Sequence, residues 1–173
     1  MEYHPLGSLQ SYLGLDKFSW TTCYSMLHSL LQAIDYLHYE DLSANDYFSS
    51  NRVKKPVIIH RDIKSSNIVV KSSPIPSLCL IDFGLAKALP PILTAIDFIQ
   101  IGTFRYMAPE LLELAISYTS EALCKVDMYA TGLVMWEIVS QCDEYPCKNN
   151  YCLMREKAFF FSSRFCRVSI AVR

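Results

Sequence analysis

No run of apolar residues in this 173-residue chain reaches the ~18 residues a membrane-spanning helix needs. The longest candidate, residues 128–139, is broken by Thr131 and Glu137. No basic, apolar leader opens the chain, so no secretory signal is expected. Excess charge is lacking too: 16 Lys and Arg stand against 17 Asp and Glu, a net charge of −1. That argues against a basic nucleic-acid surface and against the charge-rich composition of disordered chains. Seven Cys at scattered positions, an odd number, do not form a secreted disulfide framework; a reducing compartment fits them better. Cys142, Cys147 and Cys152 recur at a spacing that zinc sites do not use. There is no internal repeat. What is present is a chain 51% hydrophobic, long enough for one domain with a real core.

Three short strings carry chemistry. They are HRDIKSSN at 60–67, DFG at 82–84 and GTFRYMAPE at 102–110. Alone, an Asp in a loop or a DFG is usually a turn. In this order and spacing the three resemble the eukaryotic protein kinases. The resemblance implies transfer of the γ-phosphoryl group of ATP to a protein, with Mg2+ or Mn2+ as the metal. Such a transfer asks the protein for a positioned nucleophile and positive charge at the phosphates. Asp62 has the chemistry of the base that accepts the substrate hydroxyl proton, and Lys64 can reach the transferring group from the same loop. Asn67 offers the metal a neutral oxygen and Asp82 a charged one. Two such ligands suffice for a hard cation that keeps waters and phosphate oxygens. Gly84 permits the turn after Asp82. Lys64 marks the Ser/Thr class, and by resemblance Thr103 bridges toward Asp62 and Lys64.

The flanks narrow the family. MEYHPLGSL, RYMAPELLE and KVDMYATGLVMWEIVSQC, with the long segment ahead of HRD, resemble the transforming growth factor β receptor family. Phe83, the region around Trp20 and the VDMYA string favour its type II members, the activin and bone morphogenetic protein type II receptors. This implies an α+β, protein-kinase-like fold, here the mostly helical large C-terminal lobe without the small lobe or late helices. Residues 1–145 would be a partial kinase domain and 146–173 an unmatched tail. By the same resemblance, backbone groups of Tyr3 and His4 form the hinge that binds adenine, and Val69 and Ile81 floor its pocket. Asp127 holds the catalytic-loop backbone, and Glu110 loses an Arg partner from later helices and is solvated.

The partners implied are a type I receptor as substrate and an extracellular growth factor bound through domains outside this chain. The location implied is the cytosolic side of a single-pass membrane receptor. The Gly-rich loop and the Lys–Glu pair of the small lobe are missing, and losing one preorganised donor already costs ~10²–10³ in rate. The chain by itself is therefore expected to show no measurable kinase activity. A competing reading is a catalytically inactive fragment that acts as a binding module. The four residues Asp62, Lys64, Asn67 and Asp82 together favour the enzyme, because a binding module has no need of all four.

The coarse elements follow from pattern. Residues 20–38 read as a helix, with Leu27, Leu30, Leu31, Ile34 and Leu37 at three- and four-residue steps. A short helix is expected near Gly7–Leu9, a long surface loop over 39–56 and a short strand at 57–59. Residues 68–71 and 78–81 form a hairpin with Asn67 at one end and Asp82 at the other. Pro90 and Pro91 exclude a helix through the following segment, whose apolar residues between 92 and 101 suggest packing. Thr94 and Tyr106 carry hydroxyls that could accept phosphate, but the expectation is that both are unmodified. His28 and His38 read as structural or surface residues. Residues 126–139 should be a buried helix with Asp127 at its start, where a carboxylate suits the dipole, and Trp136 as a core anchor.

Overall fold

The computed structural model describes residues 4–15, 17–39, 55–71, 74–94, 97, 99–117 and 119–143. Gly7, at φ +71°, turns the chain so that its carbonyl accepts from Val70 N at 3.0 Å. Helix α1 (Leu9–Leu13) follows, capped by the Ser8 hydroxyl, which accepts from Ser11 N. Helix α2 (Trp20–His38) has the bounds its periodicity predicts, and Ser19 caps it by accepting from Thr22 N at 3.3 Å. Its buried stripe is Cys23, Met26, Leu30, Ile34 and Leu37. At its other end the Lys55 ammonium donates to the carbonyls of Leu37, Tyr39 and Pro56 at 3.0, 2.7 and 3.2 Å, satisfying groups that a helix C-terminus leaves open.

Strand β1 (Ile58–Ile59) leads into His60. Strands β2 (Ile68–Lys71) and β3 (Ser77–Leu80) form the expected antiparallel hairpin, with Ile68 opposite Leu80. Burial alternates along both, and Ile68, Val70, Leu78 and Leu80 join the α2 stripe in the main core. Strand β4 (Lys87–Ala88) pairs antiparallel with β1. Helix α3 (Pro109–Leu112) and the long helix α4 (Ser120–Ser140) complete the described elements, and α4 sends Ala130, Val134 and Ile138 into the same core.

Three expectations need correction. Helix α4 starts at Ser120 behind a Thr119 cap, so Asp127 lies about two turns inside it and is 2% exposed. A dipole role at the helix start is excluded; Asp127 does other work. Trp136 is not a core anchor but 46% exposed. It sits two residues from both Val134 and Ile138, about half a turn off the buried stripe. Apolar packing holds the segment after Pro91 only in part: Leu93 packs against the cluster of Ile59, Leu89 and Leu123, while Ile92 and Ile99 are 81% and 51% exposed and residues 96 and 98 lie outside the described residues. Polar ties secure it: buried Asp97 pairs with Lys87 and accepts from Thr94 N, and Gln100 Nε2 donates to the carbonyls of Leu111 and Leu112.

Ile34→Ala should lower unfolding free energy by about 2–5 kcal/mol, the usual cost of truncating a buried aliphatic side chain. Trp136→Ala should cost less than about 1 kcal/mol. Urea unfolding of the two variants separates these outcomes; an equal or larger loss for Trp136→Ala would restore it to the core.

Candidate active site

The stretch from His60 to Asn67 has little regular structure, so its shape must come from outside itself. The Asp127 carboxylate supplies it. Oδ2 accepts from His60 N at 2.7 Å and Oδ1 from Arg61 N at 2.9 Å. A third donor, His38 Nε2, reaches Oδ2 at 3.1 Å. Three donors compensate the desolvation that a lone buried carboxylate would suffer. Fixing these amides lets Arg61 adopt φ 67°, a left-handed conformation that is costly for a side-chain-bearing residue. Arg61 Nε donates to Leu85 O at 2.7 Å and ties the loop to the turn after Asp82. The His60 ring is fully buried. Its Nε2 donates to Ile81 O at 3.1 Å and its Nδ1 accepts from Asp62 N at 3.4 Å, which together require the Nε2–H tautomer. Phe83 packs on that ring at 4.9 Å between centroids.

On this frame four predicted residues converge. Asp62 Oδ1 accepts from the Thr103 hydroxyl at 2.7 Å; Oδ2 accepts from Lys64 Nζ and Asn67 Nδ2, both at 2.8 Å. Lys64 Nζ also donates to Thr103 Oγ1 at 2.7 Å, and Asn67 Nδ2 to the Asp62 carbonyl at 3.0 Å. Burial pushes the Asp62 carboxyl up, but the bonds from Lys64, Thr103 and Asn67 outweigh it and hold the group below its usual range. Asp62 is therefore an ionised acceptor at neutral pH. The Asn67 nitrogen is committed to Asp62, which leaves its amide oxygen as the atom for a cation.

Asp82 sits across the hairpin, joined to Asn67 through the bond from Ile81 N to Asn67 O at 3.0 Å. Its backbone is left-handed, φ 60°, and its exposed carboxylate accepts only from Gly84 N, at 3.3 Å, among the described residues. An amide oxygen and a solvent-facing carboxylate at one hairpin end fit a hard divalent ion that retains water and phosphate ligands. Val69 and Ile81 are half-buried, on and just past the two strands of the hairpin. His4 O accepts from Gly7 N at 3.0 Å, which leaves one carbonyl lone pair beside the amide N–H. Tyr3 lies outside the described residues.

Thr103 is brought to Asp62 by a close approach. Gly102 has φ +110°, and a Cβ there would stand 2.3 Å from Arg61 O. Tyr106, one turn on, donates to Glu137 Oε1 of α4 at 2.6 Å and shares a hydrogen bond with Ser65 at 3.2 Å. Its hydroxyl is thus committed, and burial followed by Glu137 pushes its pKa up. Glu110 is half-buried and makes no ion pair among the described residues.

The sequence presented His38 only as a structural or surface residue and left Ser65 and Glu137 without a role. Nothing local marks them, since their partners lie far along the chain: His38 and Asp127 are 89 positions apart.

The family model described as "Protein kinase domain" matches residues 1–163. Among curated proteins, activin receptor type-2A of Homo sapiens is 39% identical over 141 residues, 81% of this chain and 26% of that protein. The Xenopus laevis protein of the same name is 38% identical over 141 residues, with the same shares of the two chains, 81% and 26%. TGF-beta receptor type-2 of Gallus gallus is 40% identical over 145 residues, 82% of this chain and 24% of that protein. The chain thus spans about a quarter of the length of the curated relatives it matches.

Gly102→Ala should disturb the site while sparing the core. The added Cβ must displace Arg61 O, and the backbone conformation disfavours Ala, at a cost of about 1–3 kcal/mol. Backbone NMR should show shifts concentrated at residues 60–64 and 101–104. A spectrum unchanged there would contradict the close approach.

Proposed function

This chain belongs to the protein kinase family, in the branch of type II transforming growth factor β-type receptors, and from that we propose that it supplies the catalytic loop and metal pair of a receptor serine/threonine kinase. The observation that supports this best is the cluster of Lys64, Thr103 and Asn67 around one ionised Asp62. A turn-forming Asp has no use for three side-chain donors drawn from two segments. In the proposed reaction Asp62 orients the substrate Ser or Thr hydroxyl and accepts its proton as the γ-phosphoryl group of ATP moves to the oxygen. A depressed pKa is compatible with this role: the transition state is loose, so the proton need not leave early, and positioning dominates. Lys64 places an ammonium beside the transferring group, and Thr103 shapes the wall against which the hydroxyl rests.

Asn67 and Asp82 would hold Mg2+ or Mn2+, which when bound supplies positive charge to the phosphates. The His4 amide, Tyr3, Val69 and Ile81 are the proposed adenine contacts. The substrate proposed is the Ser/Thr-rich segment of a type I receptor, with the chain on the cytosolic face of the membrane. Extracellular ligand recognition would be carried by other domains. The alternative is a catalytically inactive binding module.

The test joins the small lobe of activin receptor type-2A ahead of Met1 and measures phosphate transfer to a type I receptor segment. Transfer to Ser or Thr is expected, and Asp62→Asn should reduce it by at least about 10²-fold. The unfused chain should show none. Fusion without transfer, or transfer indifferent to Asp62→Asn, would favour the binding module.

A further inference from the structure

Helices α2 and α4 run antiparallel: Cys23 Sγ meets Ile138 O at 4.0 Å near one end, and His38 Nε2 meets Asp127 Oδ2 near the other. Both tryptophans of the chain therefore stand at the same end of the pair. Trp20 is the first residue of α2, and Trp136 lies about one turn before the last residue of α4. Each is nearly half exposed, 47% and 46%, and Tyr24, one turn after Trp20 on the same face, is 58% exposed. An apolar side chain exposed singly is ordinary; three large aromatic ones at one end of a helix pair are not. The chain leaves the described residues at this very end. Phe18 N donates to Gln141 O and Asp143 N to Phe18 O, both at 3.0 Å, so Asp143 stands beside the start of α2.

Residues 144–173 continue from that point. They hold six aromatic and six basic residues against two acidic ones, and residues 159–161 are all Phe. Thirty residues reach up to ~100 Å when extended, against ~28 Å for the whole of α2, so the tail can return over this face from where it starts. The chemistry also matches. An exposed ring takes a cation over its face, and α2 already does so elsewhere, with Lys55 standing 5.1 Å from the centroid of the exposed Tyr36 ring. Trp is the strongest such platform, and Arg uses it more often than Lys. Tyr24 is stacked on His28 at 5.9 Å between centroids, which orients its ring along the helix.

We propose that residues 144–173 dock in cis on the aromatic end of the α2–α4 pair. Residues 159–161 pack against Trp20, Tyr24 and Trp136, and the neighbouring Arg155 and Arg164 lie over the rings. Three consecutive Phe left in water would expose apolar area that this face can cover. The docking needs neither nucleotide nor phosphate transfer.

Trp20 and Trp136 are the only tryptophans, so the tryptophan emission of the full 173-residue chain reads this face alone. Replacing residues 159–161 together, as Phe159→Ser, Phe160→Ser and Phe161→Ser, should raise acrylamide quenching and move the emission to the red. Unchanged quenching and emission would overturn the proposal and leave the face to a different partner. Shielding that grows with chain concentration would also overturn it, in favour of a second copy. A measurement without substitution keeps the test valid if the variant unfolds. In the unsubstituted chain, nuclear Overhauser contacts should join the indole protons to side chains of residues 144–173 and persist when labelled chain is diluted into unlabelled chain. Their absence would overturn the docking. Neither readout involves activity, so its failure is separable from failure of phosphate transfer.

Discussion

One buried carboxylate organises the site. Asp127 stands inside α4, held by the core around Val134 and Ile138, and its two oxygens receive the backbone of His60 and Arg61 and the ring of His38. Everything downstream leans on those contacts. The left-handed Arg61 is tolerated because its amide is fixed, and its carbonyl then lies against Gly102. That approach brings Thr103 to Asp62 and Lys64. The same helix carries Glu137, which takes the Tyr106 hydroxyl and secures the far end of the segment that bears Thr103. A rigid helix thus positions two irregular loops through polar side chains, because loops with so little regular backbone structure cannot position themselves.

The electrostatics at Asp62 follow from this placement. A half-buried carboxylate alone would drift toward the neutral form; surrounded by an ammonium, a hydroxyl and an amide it stays charged. The donors also fix where its lone pairs point, which matters more for a loose phosphoryl transition state than basicity does. On the hairpin, Asn67 commits its nitrogen to Asp62, which leaves its oxygen as the atom for a cation. Charge and orientation are therefore built from side chains within a short stretch of backbone and the segment that bears Thr103.

What the sequence disclosed follows the range of each interaction. Helix α2 was legible to the residue because its apolar periodicity is local. The hairpin was legible within one residue, and the convergence of Lys64, Asn67 and Thr103 on Asp62 was legible through the family resemblance. Helix α4 was half legible. It is apolar nearly all round, so no phase marks the buried face, and the exposed Trp136 looked like core. Its first turns, with Glu121 and Lys125 paired at 2.8 Å, are polar and hid the true start at Ser120. That error made Asp127 look like a terminal, dipole-placed residue, although the family resemblance had given its bond to the loop. His38 was read only as structural or surface, because a His at a helix end has no further signature until its distant partner is in view. The tie between Lys87 and Asp97 was missed likewise, where apolar residues suggested packing that Ile92 and Ile99 do not provide.

The central proposal is that residues 60–67 and 82–84 form the cation-binding part of a kinase site on the frame of Asp127. Mn2+ carries the hard-cation chemistry of Mg2+ and broadens the NMR signals of nearby nuclei. Titrated into the chain, it should first broaden the Asn67 side-chain amide and the backbone amides of Asp82 to Gly84, and Asp82→Asn should weaken that effect. Broadening that spares these groups, or that starts elsewhere and ignores Asp82→Asn, would contradict the claim.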